Sequence, residues 1–165
     1  MRCGIALGSN IEDRLEHLRL GKLALEKLHC GSEPPLVSTI YETEPVDCAP
    51  DTPAYLNAVM EIEYDGQPVV LLDLLHQIEN SMGRPSKRPR NAPRTIDLDI
   101  LYAGNLTLHN DEIIIPHPRL HLRRFVLQPL SEIRPDLVLP GYQEPVSTLL
   151  ENLPLEPAVE PYGSF

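Results

Sequence analysis

The sequence predicts an α+β protein in which helices pack on an antiparallel sheet. Segments of sheet character outnumber long helical ones, turn signals leave several of them within hairpin distance, and just two long stretches repeat apolar residues at helical spacing. Taken in order, the stretch from Cys3 to Leu7 reads as a buried strand broken at Gly8-Ser9-Asn10, where Ser9-x-x-Glu12 has the form of a capping box. Leu15, Leu18, Leu25 and Leu28 form the seam of the helix that follows. Val37 to Tyr41 reads as a second strand, and a proline-rich loop runs from Glu42 to Pro53. Leu56, Ala58, Met60, Ile62 and Tyr64 alternate with mostly polar neighbours, the period of a sheet with one buried face. Asp65-Gly66 ends it. Pro68 suits a first helical turn, and Leu71, Leu75, Ile78 and Met82 repeat at helical spacing as far as Gly83. An exposed, proline-punctuated arm fills Gly83 to Pro93. Thr95 to Tyr102 returns to strand, with Ala103-Gly104-Asn105 expected to turn it into a hairpin with Leu106-Thr107-Leu108. Beyond Pro116-His117-Pro118 a short helix is expected over Phe125 to Ile133, then a Pro140-Gly141 turn and a last helix through Leu149-Leu150.

A chain of 165 residues lies within the ~100–200 typical of one domain, so a single domain is expected over 1–153. The proline-rich stretch 154–165 is expected to be a loosely held tail. An apolar fraction of 42% with 23% charged residues is that of a globular protein, neither disordered nor fibrous. The net charge of −10 argues against a constitutive binder of nucleic acid or of anionic membrane. From Arg84 to Arg124, however, eight Lys or Arg stand against four acids, which marks one region able to concentrate an anionic ligand. Cys3, Cys30 and Cys48 are odd in number and contain no CxxC pair, so neither a disulfide framework nor a zinc site is indicated. No apolar run approaches the ~18 residues of a membrane span, and the short apolar start does not resemble a signal peptide. A cytoplasmic protein is expected.

The sharpest chemical signal is Thr95-Ile96-Asp97-Leu98-Asp99-Ile100. Alternate strand residues share a face, so Asp97 and Asp99 point together while Ile96, Leu98 and Ile100 enter the core. Two adjacent carboxylates repel, and a divalent cation relieves the repulsion; magnesium takes one or two carboxylates and completes its shell with water and phosphate oxygens. Two solvated acids on a sheet face remain the plain alternative. Arg84, Lys87, Arg88, Arg90 and Arg94 lie just upstream, and phosphoryl transfer needs cations of this kind beside its metal. The same cations could form a solvated loop or a nucleic-acid patch, although the arm lacks the aromatics that single-strand binders interleave. The arm is expected to stay mobile until a bound polyphosphate supplies counter-charge. There is no G-x-x-x-x-G-K-[ST] and no G-x-G-x-x-G, which excludes the common nucleotide loops. A polymerase-type nucleotidyltransferase would keep Gly8-Ser9 and the paired acids close together, and here almost ninety residues separate them.

Gly8-Ser9-Asn10, Tyr41-Glu42-Thr43-Glu44-Pro45, Tyr55-Leu56-Asn57, Glu79 before Gly83-Arg84, Ala92-Pro93-Arg94-Thr95-Ile96-Asp97-Leu98-Asp99-Ile100, Pro116-His117-Pro118 and Arg123-Arg124-Phe125-Val126-Leu127 occur in one order. In that order they resemble the 6-hydroxymethyl-7,8-dihydropterin pyrophosphokinase family of folate biosynthesis, from Gly8 to about Leu130. The resemblance implies a ferredoxin-like core whose central, mainly antiparallel sheet carries helices on both faces. It also implies transfer of a pyrophosphoryl group from ATP to the hydroxymethyl oxygen of 6-hydroxymethyl-7,8-dihydropterin, with release of AMP, by a monomer needing neither nucleic acid nor membrane.

Carried over position by position, Asp97 and Asp99 would ligate two Mg²⁺ ions, and Arg84 and Arg94 would act on the phosphates during transfer. Tyr55 and Phe125 would sandwich the pterin while Asn57, with the backbone near Thr43, reads its amide edge. His76, Glu79, Arg90, Ile100, His117 and Arg123 match ATP-side positions. Core packing would equally account for Tyr55 and Phe125, and a satisfied turn histidine for His117. The sequence departs from the family's commoner residues at Asn91-Ala92, Ser86, His76 and Glu44, so altered nucleotide affinity is expected with activity retained. A ferredoxin-like RNA-binding module using the basic loop 84–94 is the rival reading. It leaves Asp97 and Asp99 unexplained, since without a metal they would repel phosphate.

Overall fold

A computed structural model describes residues 1–45, 53–83 and 95–165, and in it the apolar periods of the sequence become one sheet between two layers of helices. The elements in chain order are β1 (Arg2–Ser9), α1 (Arg14–Glu26), β2 (Leu36–Val37), β3 (Ile40–Thr43), β4 (Tyr55–Glu63), α2 (Pro68–Ser81), β5 (Asp97–Ala103), β6 (Leu108–His109), β7 (Ile114–Ile115), a 3₁₀ turn (Leu120–Leu122), α3 (Arg124–Ile133), α4 (Val146–Glu151) and β8 (Val159–Gly163). The main sheet has the order β5-β1-β4-β3-β8, with β2 also on β4, and every pairing is antiparallel. The run β1-α1-β3-β4-α2-β5 with its outer strands flanking β1 and β4 is the ferredoxin-like arrangement expected.

Strand alternation divides the residues between two cores. Cys3, Ile5 and Leu7 of β1, Leu56, Ala58, Met60 and Ile62 of β4, and Leu98 and Ile100 of β5 pack with Leu18 and Leu25 of α1 and Leu71 and Leu75 of α2. The other face holds Val59, Leu101 and Tyr102 against Val126, Leu127 and Leu130 of α3 and Val146 of α4. Each fully buried Leu or Ile contributes roughly 1.5–3 kcal/mol by leaving water, so the two layers share the stabilisation. Leu101 and Tyr102 fall on one face because the β1–β5 register slips between Gly4 and Ile5, where Gly4 faces Tyr102 and Ile5 faces Ile100.

Several expectations need correction. β4 is buried on both faces from Leu56 to Ile62, since α3 covers the side expected to meet solvent. Ser9 belongs to β1 and caps nothing; α1 starts at Arg14, and the Asp13 carboxylate accepts the Glu16 amide. The second strand is split: Ser38 interrupts it, its hydroxyl accepting the Val59 amide at 3.0 Å, and β2 and β3 result. β6 pairs with β7 and makes no hairpin with β5. The C-terminal segment, expected to hang loosely, adds β8 to β3, with Glu42 opposite Glu160 and Thr43 opposite Val159. Cys48, most of the Glu42–Pro53 loop and the basic arm beyond Gly83 lie outside the described residues.

Candidate active site

Register decides what meets at the α3-side face. Gly8 of β1 is the direct partner of both Asn57 of β4 and Asp97 of β5, so these three residues form a row across three strands. Neighbouring strands lie about 4.8 Å apart, and Gly8 has no side chain to fill the gap between its partners. A Cβ built on Gly8 would stand 3.6 Å from Asn57 Oδ1 and 4.0 Å from Asp97 Cβ. Two residue pairs further along, Ala6 faces Asp99. The result is an open depression floored by Ala6 and Gly8, with Asn57 at one side, Asp97 and Asp99 at the other, and Arg123, Phe125 and Val126 descending from the start of α3.

Local chemistry sets each wall. Arg123 is the residue from which α3 springs; its guanidinium lies 3.9 Å from Asp99 Oδ2 and 5.6 Å from the centre of the Phe125 ring. A cation over an aromatic face and beside a carboxylate is held from two directions. Asn57 donates from Nδ2 to Thr43 Oγ1 at 2.8 Å, a buried bond between adjacent strands. Tyr55, two residues before Asn57, is half-buried on the same face of β4. Arg14 holds the ends of the flanking strands together, donating to the Ala54 carbonyl at 2.8 Å and pairing with Glu42 at 2.7 Å.

His117 follows β7 and donates its amide to the Leu101 carbonyl, while its Nδ1 accepts the Arg119 amide at 3.1 Å. Burial, with Arg123 and Arg119 nearby, pushes its pKa down to about 4. A neutral ring that accepts at Nδ1 carries its proton at Nε2, which makes His117 an uncharged donor at neutral pH.

Glu79 and Ile100 stand apart from this depression. Glu79, 2% exposed on α2, accepts the amide of Leu98 at 2.8 Å, and Leu98 is the residue between the two aspartates. The Ile100 side chain lies in the core beneath α1 and α2. His76 is exposed on α2. Arg84, Arg90 and Arg94, with Ser86, Lys87, Arg88 and Asn91-Ala92, lie outside the described residues. Of the other expected site residues, Asp97, Asp99, Asn57, Phe125 and Arg123 line one cavity.

Residues 4–135 match the family described as 7,8-dihydro-6-hydroxymethylpterin-pyrophosphokinase (HPPK). The chain belongs to this family. It is 46% identical over 129 residues to the 2-amino-4-hydroxy-6-hydroxymethyldihydropteridine pyrophosphokinase of Bacillus subtilis, covering 78% of this chain and 75% of that protein. The Haemophilus influenzae protein of the same name is 45% identical over 141 residues, which is 84% of this chain and 85% of that protein. The Schizosaccharomyces pombe folic acid synthesis protein fol1 is 38% identical over 161 residues, covering 98% of this chain but 21% of its own length. Among solved structures, Plasmodium falciparum HPPK-DHPS with pteroate superposes with a TM-score of 0.69 at 14% identity, covering 91% of this chain and 42% of that one. That likeness shows a shared fold.

Among the residues lining the depression that were not expected as site residues are Gly8 and Ala6. Gly8 was legible as part of the family pattern, yet its place between Asn57 and Asp97 depends on register. Ala6 carries no chemical signal at all, and its small size matters only because it lies under the cavity.

Proposed function

We propose that the chain transfers a pyrophosphoryl group from MgATP to the hydroxymethyl oxygen of 6-hydroxymethyl-7,8-dihydropterin, with Asp97 and Asp99 holding two Mg²⁺ ions, and releases AMP. The observation that carries this reading is the Asn57–Gly8–Asp97 row: an amide able to read a heterocycle's edge and a carboxylate able to hold a metal share one floor, separated by a residue with no side chain. Membership in the family and the names of its curated bacterial relatives support it over an RNA-binding module.

The donor set fits magnesium. Asp97 and Asp99 stand on one strand face, and no group of three or more His, Cys, Asp or Glu among the described residues could enclose a metal. Two carboxylates with open positions suit a hard cation that completes its octahedron with water and phosphate oxygens. Bound magnesium supplies neutralisation and polarisation of those oxygens.

The remaining roles belong to the chain's own residues. Tyr55 and Phe125 offer flat faces to the pterin, and Asn57 supplies an acceptor and a remaining N–H to its polar edge. Glu79 holds the Leu98 amide and through it the spacing of the two aspartates. Arg123 and the neutral His117 face the nucleotide, Arg84 and Arg94 draw charge from the transferring phosphates, and His76, Arg90 and the Ile100 backbone complete the ATP side. The substrate hydroxyl is the nucleophile, no side chain forms a covalent bond, and catalysis is positioning with charge stabilisation.

Attack at the β-phosphorus releases AMP, whereas attack at the γ-phosphorus releases ADP. Incubation with ATP, Mg²⁺ and the hydroxymethyl dihydropterin should therefore yield AMP in step with pterin consumed, and none without pterin. Stoichiometric ADP would overturn the assignment.

A further inference from the structure

Resting on the pterin reading above, we propose that Arg124 is a positioning residue for pterin binding: through the Leu150 carbonyl it fastens the first turn of α3, which carries Phe125, to α4. Its guanidinium is half-buried and donates from Nη1 to the Leu150 oxygen at 3.2 Å. Arg124 stands between two residues that line the cavity, Arg123 and Phe125, yet directs its charge at a different element.

The first turn of α3 needs such a tie. No side chain caps the helix, and Pro129 lies inside it. In a regular helix the amide of residue 129 bonds the carbonyl of residue 125; proline has no amide hydrogen and its ring crowds that carbonyl, so the turn bearing Phe125 is joined less firmly to the rest of α3. α4 spans this break. Its Val146 and Ser147 amides donate to the Leu137 and Pro135 carbonyls, just past the far end of α3, at 2.9 Å and 3.0 Å. From there α4 packs back along α3, and Leu150, near its other end, meets Arg124 at the near end. Leu149, Leu150 and Leu153 join Phe125 around the apolar core that α3 covers. α4 lies beyond residues 4–135, so the brace comes from outside the segment matched to the family.

A ring that stacks equally on the bound substrate and on the transition state sets KM rather than kcat. Arg123 is held separately, beside Asp99. Arg124→Met keeps a long apolar stem and removes the donors. We expect KM for the pterin to rise about fivefold in this variant, with kcat and KM for ATP within about twofold of wild type. Arg124→Lys keeps a donor on a similar stem and should return KM for the pterin to within about twofold of wild type. A side chain that merely stabilised the fold would lower the urea midpoint and leave KM alone.

The ring resonances of isotope-labelled phenylalanine, recorded without substrate, test the brace independently of turnover. The chain has two phenylalanines, and Phe165 packs with the other core, on the opposite face of the sheet, so its signals serve as the control. The Phe125 signals should shift or broaden in Arg124→Met and match the wild type in Arg124→Lys, while those of Phe165 stay in place in both. Wild-type KM for the pterin in Arg124→Met, equal impairment of the Lys and Met variants, or unmoved Phe125 signals would each overturn the proposal. Phe125 signals that respond as expected in a protein that binds no pterin would uphold the brace and count against the pterin reading.

Discussion

Two glycines on the same strand face illustrate how one residue type serves opposite ends. A Cβ on Gly4 would overlap the Tyr102 ring, and that ring is tied down because its hydroxyl donates to buried Glu61. The same addition at Gly8 meets only ordinary contacts, at 3.6 Å and 4.0 Å. Gly4→Ala should destabilise the fold by about 1–3 kcal/mol through overpacking, whereas Gly8→Ala should unfold within about 0.5 kcal/mol of wild type. Gly8→Ala should nonetheless raise KM for the pterin several-fold, because the methyl stands on the cavity floor. Urea unfolding of both variants beside steady-state kinetics of Gly8→Ala checks the pair. Neither role is visible locally: each glycine is defined by what faces it on a neighbouring strand.

At the scale of elements, α3 carries Arg123 and Phe125 at its start, and its other end is anchored on the sheet. Arg134, which caps its C-terminus, donates through Nε to both oxygens of Glu61 at 3.1 Å and pairs with it again through NH2, while Tyr102 donates to the same carboxylate. Glu61 is 5% exposed on β4, four residues from Asn57, so one strand carries both the amide proposed to read the pterin and the anchor of α3. Arg134→Met leaves that carboxylate with the Tyr102 hydroxyl and with Arg2, 3.9 Å away. A loss of about 1.5–3 kcal/mol is expected, the size of a hydrogen bond to a charged group, and Glu61→Gln combined with Arg134→Met should recover part of it. Urea denaturation of the single and double variants decides this. α1 and α2 were legible from their apolar spacing, and short helices were expected over Phe125 to Ile133 and through Leu149-Leu150, where α3 and α4 lie. The anchor was not, because Glu61 read as one of the polar residues on a solvent-facing side, and only the docking of α3 buries it.

For the whole molecule, acid should weaken the fold in a defined window. His117 has its pKa depressed from 6.5 to about 4, chiefly by burial and then by Arg123 and Arg119. Between those values the unfolded chain binds the proton and the folded chain does not, so stability present above pH 6.5 is lost as pH falls to about 4. The unfolding free energy of His117→Gln should therefore fall less steeply than that of the wild type over this interval. Equal slopes in urea titrations at pH 7, 5.5 and 4.5 would remove His117 as a contributor.

The pairing of Asp97 with Asp99, the helix seams and the order of motifs along the chain are properties of neighbours in sequence. Strand and helix periods encode them directly, which is why they could be read without coordinates. The row of Asn57, Gly8 and Asp97 was decided by tertiary structure, as were the register slip that turns Leu101 and Tyr102 to one side, the burial of β4 on both faces and the pairing of β8 with β3. These depend on which strand lies beside which and in what register. That choice is made by burying two apolar faces at once while every interior amide finds a partner, and no local period records it.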